Sequence, residues 1–400
     1  MIYKVTTTRK PTLTGIDAPR TAAYHTSCHF FPPPATGTVT VQRLHNFSAG
    51  PAVLPEPVLS AAREHLLSLG ETGIGVLEHS HRGPAFGEVL SSAEGRIRRL
   101  ASVPNDVAVL FLQGGASLQF AMVPANLRPA TATADYMISG TWSLKAMEAA
   151  QSDGAVHVAS SSQNSSFREL PGPPQCSSTP AYLHYTSNNT IAGTQFSTPP
   201  TPPNGVPLVC DASSDIFSRP LDLDAHDLVY AGAQKNLGPA GLTLVLIRRT
   251  LLERCPDSIP RISRYVTHAD SGSLYNTPPV FSIFVTDLVL KWLEDQGGLS
   301  AIAERNRGQA SRLYDRIDAS RVLSGRVAFS ARSLMNVVFS AGSDEADARF
   351  LEHCRRAGLV GLKGHRSVGG LRASLYNAQP DAAVDRLLEV IDAFEAEQAQ

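Results

Sequence analysis

The stretch that decides the fold is DLVYAGAQKNLGPAGLTLVLI, residues 227–247. It contains two mainly apolar runs, Leu228 to Ala231 and Leu242 to Ile247, which are typical of strands buried on both faces. Lys235 lies shortly after the first run and precedes a turn rich in glycine and proline. The pattern therefore predicts two central strands of an α/β sheet with a lysine at their junction.

Similar short apolar runs lie on the N-terminal side of this stretch. The predicted strands are Val107 to Leu112, Ala134 to Ser139, Ala181 to Tyr185 and Pro207 to Cys210. Helical patterns lie between several of them, and the predicted helices are Pro57 to Leu69, Gly87 to Ala101, and stretches beginning at Ser117 and at Trp142. Strands that alternate with helices predict a parallel, doubly wound sheet.

The C-terminal part has a different order of elements. A long helix from Val280 to Gln296 and a second helix after Leu299 lead into the predicted elements of a smaller α+β region: strand Leu334 to Phe339, helix Asp344 to Ala357, strand Arg372 to Tyr376 and helix Asp381 to Ala396. We therefore predict a large domain over residues 58–307 and a small domain over 308–400, with an arm, 44–57, that joins the small domain.

Composition excludes several classes of protein. The chain has 400 residues, a hydrophobic fraction of 42% and a net charge of -1, which argues against disorder and against electrostatic binding of nucleic acid or anionic membranes. No apolar run approaches the roughly 18–20 residues of a membrane span. The 5 cysteines are scattered and His79 and His81 are badly spaced for a helical metal pair, so we expect no disulfide scaffold and no metal site.

Residues 1–43 differ from the rest of the chain. They are rich in serine and threonine, and Asp17 is their only acid. Such a composition is similar to that of an organelle transit peptide, but a disordered extension or an upstream start site explains it equally well. The predicted compartment is accordingly the cytoplasm, or a plastid or mitochondrion if this segment is a transit peptide.

Two side chains at strand ends are candidates for a chemical role. Burial lowers the pKa of a lysine, so Lys235 is a candidate for covalent bonding to a carbonyl cofactor; the alternative is a lysine whose ammonium reaches solvent from a loop. Asp211 ends the run Pro207 to Cys210 and could pair with the protonated ring nitrogen of pyridoxal phosphate, or could cap the next turn.

Other segments suggest anion binding. Gly114 and Gly115 lie between a strand and a helix, where backbone amides favour a phosphate, although such a pair is often only a turn. Trp142 could stack on a cofactor ring or belong to the core. The segments 80–83 and 364–366 each contain a His-Arg pair, with Arg372 nearby. Arginines grip carboxylates and phosphates, so these pairs suggest a small anionic substrate, unless they are ordinary surface residues.

Taken together, these segments resemble the phosphoserine aminotransferases, which are fold-type I enzymes dependent on pyridoxal phosphate. The resemblance runs from about Asn46 to the last helix. It rests on the segments 46–51 (NFSAGP), 80–83 (SHRG), 114–115 (GG), 134–136 (ADY), 232–241 (GAQKNLGPAG), 275–279 (YNTPP) and 363–366 (KGHR), which follow one another in the family's order.

The resemblance implies a role for each matching residue. Lys235 would bind the cofactor covalently and shuttle the proton. Asp211 would pair with the ring nitrogen, and Trp142 would stack on the ring. The remaining cofactor-binding residues would be Ala116, Ser117, Thr190 and Gln234, with Asn276 and Thr277 reaching the cofactor phosphate of a partner subunit. The substrate-binding residues would be Arg372 for the α-carboxylate and His81, Arg82, His365 and Arg366 for the distal anionic group.

The implied reaction is a ping-pong transamination between L-glutamate and 3-phosphohydroxypyruvate by a homodimer with shared sites. This reaction belongs to serine biosynthesis, and its partners are small molecules rather than nucleic acid or membrane. Two alternatives remain at this stage: a related class-V aminotransferase such as the alanine–glyoxylate type, and a catalytically silent protein that keeps the fold. Retention of both Lys235 and Asp211 argues against the silent protein.

Overall fold

A seven-stranded sheet forms the centre of the computed structural model, which describes residues 43–398. The strands of the chain are β1 (His45–Asn46), β2 (Val107–Leu112), β3 (Thr133–Ile138), β4 (Val156–Ser161), β5 (Pro180–Thr186), β6 (Asn188–Asn189), β7 (Thr194–Gln195), β8 (Leu208–Asp211), β9 (Leu228–Gly232), β10 (Thr243–Arg248), β11 (Ser324–Gly325), β12 (Asn336–Ser340), β13 (Leu359–Val360) and β14 (Leu371–Ser374). The central sheet has the order β2-β10-β9-β8-β5-β3-β4.

Ten α-helices accompany the strands in the described part of the chain. They are α1 (Glu56–Glu64), α2 (Pro84–Leu100), α3 (Gly115–Leu127), α4 (Thr141–Gln151), α5 (Arg249–Leu252), α6 (Tyr265–Asp270), α7 (Val280–Asp295), α8 (Gly298–Asp318), α9 (Asp344–Arg356) and α10 (Asp381–Gln398). None of the helices within residues 43–398 combines the length and the apolar character needed to cross a bilayer.

The central sheet is parallel except for one strand, β10, which runs antiparallel to both β9 and β2. The reason lies in the connection. A parallel crossover needs about a dozen residues or more, whereas β9 and β10 are joined by a tight loop closed by the amide of Ala233 and the carbonyl of Leu242 at 2.9 Å. The predicted fold, a mainly parallel α/β sheet, is confirmed with this one reversal.

Helices cover both faces of the sheet, because its strands are apolar on both sides. In β2, Val107, Val109 and Phe111 pack in the same cluster as side chains of α2 and α7. The alternating residues of β2 pack instead with side chains of α3 and α4. The core therefore consists of two apolar layers with the sheet between them.

A second, three-stranded sheet has the order β11-β12-β14 and packs with α8, α9 and α10. The helix α8 runs unbroken through the predicted boundary near Arg307. Its first half, with Leu299 and Ile302, belongs to the cluster of the large sheet, and its second half, with Leu313 and Ile317, belongs to the cluster of the small sheet. The division of the chain at residue 307 stays a prediction.

The segment before α1 lies against the small sheet. β1 pairs in parallel with β13, and the amide of Ser374 donates to the carbonyl of Phe47 at 3.3 Å. Residues 45–49 therefore make their backbone contacts with the last fifth of the chain.

Predicted and observed elements differ at a few places. The helix predicted over Pro57 to Leu69 is wrong at its end: α1 stops at Glu64, and the chain then turns through Gly70 and Gly73, both with positive φ. The strand β4 was not predicted. It is an edge strand with partly exposed, mostly small or polar residues, so it lacks the apolar run that marks the central strands.

Candidate active site

A cavity of about 450 Å³ opens at the edge of the sheet where the parallel strands end. Its lining residues follow the carboxyl ends of β2, β3, β5, β8 and β9, with a contribution from the segment before α1. They are Gly50, Pro51, Gly114, Gly115, Ala116, Ser117, Trp142, Thr186, Asn188, Asp211, Ser213, Ser214, Gln234, Lys235, Ala240 and Gly241. This volume and this position are typical of a site for a small ligand.

Lys235 lies in the loop between β9 and β10, with its amine at the cavity. Its Nζ donates to the hydroxyl of Thr190 at 2.9 Å. Burial lowers the pKa of Lys235 to about 8; the charge of Asp211 opposes this change and the charge of Arg372 adds to it. A large fraction of this amine is therefore neutral at slightly alkaline pH, which is the form that attacks a carbonyl.

Asp211 is the last residue of β8, and its side chain is buried in the cavity wall. The backbone amide of Ser213 donates to its Oδ1 at 3.0 Å. Burial raises the pKa of this carboxyl group, whereas the hydrogen bonds from Ser213 and the charge of Lys235 lower it. A cationic ligand atom beside Asp211 would supply the missing counter-charge.

Two buried polar groups at the cavity have no partner within the described chain. They are the Nε1 of Trp142 and the hydroxyl of Thr186. Buried polar atoms are normally hydrogen-bonded, so both are available to a bound molecule. The ammonium of Lys235 lies 5.8 Å from the centre of the Trp142 ring, so the indole and the amine face the same space.

The glycines Gly114 and Gly115, which the sequence predicts to lie at a phosphate site, form a turn at the start of α3. Both glycines have positive φ, 89° and 63°, which presents the amides of the first helical turn to the cavity. Ala116 and Ser117 line the cavity there. A helix N-terminus with free amides favours an anion.

Cations gather next to this cavity. The Nη1 of Arg372, on β14, donates to the carbonyl of Thr190 at 3.2 Å, and its buried Nε has no partner in the described structure. The pKa of His365 is lowered by burial and then by the charges of Arg372, Arg366 and Lys145. Since these charges are all positive, the group favours an anionic ligand.

The comparisons with known proteins agree with this geometry. Residues 44–387 match the class-V aminotransferase family. The chain belongs to the class-V aminotransferases. A phosphoserine aminotransferase from Herpetosiphon aurantiacus is 47% identical over 359 residues, which cover 89% of this chain and 99% of that relative.

Solved structures of the same group are similar to this class-V aminotransferase. The phosphoserine aminotransferase from Bacillus circulans subsp. alkalophilus matches with a TM-score of 0.88 and 45% identity, covering 90% of this chain and 100% of that chain. A PLP-bound phosphoserine aminotransferase from Trichomonas vaginalis has a TM-score of 0.84 and 36% identity, covering 88% and 100% of the two chains. The predicted family, fold and enzyme class are confirmed.

Eight of the residues predicted for the site of this aminotransferase do not line the cavity. Thr190, Arg372, His365 and Arg366 lie beside it, and the other four lie elsewhere in the described chain. His81 and Arg82 do not line the cavity; the Nε2 of His81 is buried without a partner, and Arg82 is exposed. Asn276 donates to the side chain of Gln113 at 2.8 Å, and the side chain of Gln113 donates to the carbonyl of Thr277 at 2.8 Å. The structure thus attaches Asn276 and Thr277 to the end of β2, outside the cavity.

Sequence reasoning missed several residues at the site. Thr186, Asn188 and Ser214 line the cavity because β5 lies next to β8, a pairing that no local pattern reveals. Lys145 had a visible signal, since it lies three residues after Trp142 and therefore on the same side of α4. Its ammonium lies 4.9 Å from the centre of the Trp142 ring.

Proposed function

We propose that this class-V aminotransferase transfers the amino group of L-glutamate to 3-phosphohydroxypyruvate, giving O-phospho-L-serine and 2-oxoglutarate. The observation that carries the proposal is the position of Lys235. Its amine of lowered pKa lies in one cavity with the buried Asp211, next to Arg372 and its neighbouring cations. Relatives named phosphoserine aminotransferase, 45–49% identical over nearly their whole length, support this choice of substrate.

The residues of the cavity fit pyridoxal phosphate. The unpartnered Nε1 of Trp142, the buried carboxyl group of Asp211 and the free amides at Ala116 and Ser117 suit an aromatic ring with a basic nitrogen and a phosphate. Gln234 and Thr190 complete the proposed set. When bound, the cofactor supplies an electron sink for the carbanion left by proton removal at the substrate α-carbon.

Lys235 is the proposed catalytic base and acid. Its Nζ takes the proton from the α-carbon of the amino donor and, in the second half-reaction, delivers a proton to the α-carbon of the amino product. Proton removal requires that the amine be neutral at the working pH. Burial and the charge of Arg372 favour the neutral form. The hydroxyl of Thr190 holds the Nζ in the cavity between these events.

The cations are proposed to bind the two ends of the substrate. Arg372 binds the α-carboxylate, because a guanidinium binds a carboxylate through two parallel hydrogen bonds. His365 and Arg366 bind the distal phosphate or, in the other half-reaction, the side-chain carboxylate of glutamate. Both substrates carry an anion at each end, so one set of cations serves both.

The visible absorption spectrum of the purified protein tests the proposal. We expect a yellow band that shifts on addition of glutamate and returns with 3-phosphohydroxypyruvate, and no such cycle in Lys235→Ala. If the band returns with glyoxylate but does not respond to 3-phosphohydroxypyruvate, the protein is an aminotransferase of the alanine–glyoxylate type instead. Protein that stays colourless with added pyridoxal phosphate would favour a silent protein.

A homodimer with shared sites is the proposed active unit. In this arrangement Asn276 and Thr277 of one subunit complete the phosphate site of the other, and His81 and Arg82 reach the partner's substrate. These four residues lie outside the cavity of their own chain, although the resemblance assigns them to the site.

Complementation between two inactive variants tests the shared site. Lys235→Ala lacks the amine, and the double variant Asn276→Ala/Thr277→Ala lacks the phosphate contacts. Coexpressed with different tags and purified as a mixed dimer, the two should form one intact site out of two and recover about half of the wild-type turnover per dimer. A mixed dimer as inactive as its parents would contradict shared sites.

The proposed compartment is the cytoplasm, or a plastid or mitochondrion if residues 1–43 act as a transit peptide. That segment lies outside the described residues, and the family match begins at residue 44. Fractionation of cells that produce the tagged full-length chain separates the alternatives.

A further inference from the structure

Lys145 is a cation at the active site to which the family resemblance assigns no role. It is the fifth residue of α4, and its side chain turns back over the first turn of the helix, where its ammonium lies 4.9 Å from the centre of the Trp142 ring. The Trp142 ring also faces the amine of Lys235 at 5.8 Å. Lys145 is exposed and does not itself line the cavity, but this contact places its ammonium beside Trp142, which does.

No carboxylate neutralises Lys145 within residues 43–398, although Glu148 lies on the same helix. The cation–π contact with the Trp142 ring therefore fixes the position of an ammonium that has no anionic partner in this part of the chain.

The groups that surround Lys145 are cationic as well. Its charge acts on the ring of His365, together with the charges of Arg366 and Arg372. Three cations, Lys145 from α4, Arg372 from β14 and Arg366 from the loop before β14, create a positive region around His365 beside the cavity. An anion with more than one charge would relieve this repulsion best.

We propose that Lys145 binds the distal phosphate of the phosphorylated substrate and so selects it over the carboxylate of glutamate. The inference rests on the proposed function. An ammonium is a compact charge with three donors, which suits a phosphate dianion approached from any side, whereas Arg372 matches the planar α-carboxylate. The phosphate dianion gains more from one added charge than the single carboxylate at the far end of glutamate.

The test uses holoenzyme carrying Lys145→Met, which keeps the apolar stem against Trp142 and removes the charge. We expect the KM for 3-phosphohydroxypyruvate to rise about tenfold, the loss of one charge-assisted hydrogen bond, while the KM for glutamate changes less than about twofold. Lys145→Arg should recover most of the loss. Lys291→Met is the matched control, because Lys291 lies on α7 in an exposed pair with Asp295.

Competitive inhibition by inorganic phosphate gives a second measurement, independent of substrate chemistry. Its inhibition constant should rise by a similar factor in Lys145→Met and stay unchanged in Lys291→Met. Equal increases in both KM values, or loss of bound cofactor, would mean that Lys145 only supports the Trp142 ring. Unchanged KM values would mean that it does not contact the substrate. Either result overturns the inference.

The pH dependence distinguishes a charge effect from a packing effect. Because the charge of Lys145 lowers the pKa of His365, its removal should let His365 stay protonated to higher pH. The loss of phosphate inhibition as the pH rises through the titration of His365 should therefore move to higher pH in Lys145→Met, although Arg366 and Arg372 still face the ring. An unmoved profile would contradict the inference. Wild-type enzyme that ignores 3-phosphohydroxypyruvate would instead overturn the proposed function.

Discussion

Lys235 lies between charges of opposite sign. Asp211 raises its pKa and Arg372 lowers it, but burial is the largest effect and brings the value to about 8. Asp211 and Arg372 thus adjust a pKa that is set mainly by the burial of the amine. Because they act in opposite directions, replacing each in turn should move the titration of the same amine in opposite directions.

The pH dependence of Lys235 labelling measures these effects. In protein freed of cofactor, trace acetylation of Lys235, followed by mass spectrometry, should increase with pH and reach half of its limit near pH 8. Asp211→Asn should move this midpoint to lower pH and Arg372→Met to higher pH. The exposed Lys291 serves as an internal reference for reagent reactivity. Midpoints that move in the same direction in both variants would contradict the opposing roles.

At the scale of elements, the turn before α3 sets the geometry of the proposed phosphate site. Gly114 has φ 89°, which costs an L residue roughly 1–2 kcal/mol. A Cβ there would also lie 2.6 Å from the Cβ and the Cδ2 of Leu118. The Cδ2 can move with the rotamer, but the Cβ is held by the backbone of α3. The backbone conformation and this contact therefore both favour glycine at position 114.

Gly114→Ala should weaken cofactor binding. We expect the dissociation constant for pyridoxal phosphate, measured by titration of the cofactor-free protein, to rise about tenfold because the amides of the first turn shift. Gly308→Ala is the control: Gly308 lies inside α8 with open space around it, so alanine should add roughly 0.5–1 kcal/mol of stability without changing cofactor binding. Unchanged cofactor affinity in Gly114→Ala would mean that the turn does not take part in cofactor binding.

Much of the element order could be predicted from the sequence, because the central strands are continuous apolar runs. The strand Val107–Leu112 was predicted with the observed bounds, and the other central strands lie within two residues of their prediction. Other features depend on context. The reversal of β10 follows from the length of a loop, and within residues 43–398 β4 pairs only with β3, at the sheet edge.

The site was predictable to the extent that its residues follow apolar strands. Lys235, Asp211, Trp142 and the turn at Gly114 were found in this way and meet in one cavity. Asn188 was missed, because its role depends on partners distant in the chain. The chemical roles proposed for Lys235, Asp211, Trp142 and the turn at Gly114 remain predictions.

At the scale of the whole molecule, a buried network of amide side chains connects the end of a strand in the central sheet with the small sheet. The Nδ2 of Asn188 donates to the Oδ1 of Asn336 at 2.8 Å, and Ser333 donates to the Oδ1 of Asn188 at 2.5 Å. Asn336 continues the network, through its Nδ2, to the hydroxyl of Tyr376 at 3.3 Å. Since Asn188 also lines the cavity, the network links the site to the small sheet.

A double-mutant cycle should reveal this link. Asn188→Ala and Asn336→Ala should each lower the free energy of unfolding by about 1–3 kcal/mol, because buried partners lose their hydrogen bonds. The double variant should lose about 1 kcal/mol less than the sum of the two, as measured by urea denaturation. Among the described residues, Asn126 and Asn336 share no hydrogen-bond partner, so Asn126→Ala with Asn336→Ala should be additive. An additive result for the first pair would contradict the link.

The attachment of residues 45–49 to the last fifth of the chain has a consequence for synthesis on the ribosome. β1 needs Leu359–Val360, and the carbonyl of Ala49 needs the hydroxyl of Tyr376, which lies 2.8 Å away. Gly50 and Pro51, which follow directly, form part of the cavity wall. A nascent chain can bury most of the large sheet while these contacts of residues 45–49 are still missing. The newborn enzyme therefore completes the attachment of this part of the cavity wall only near its release.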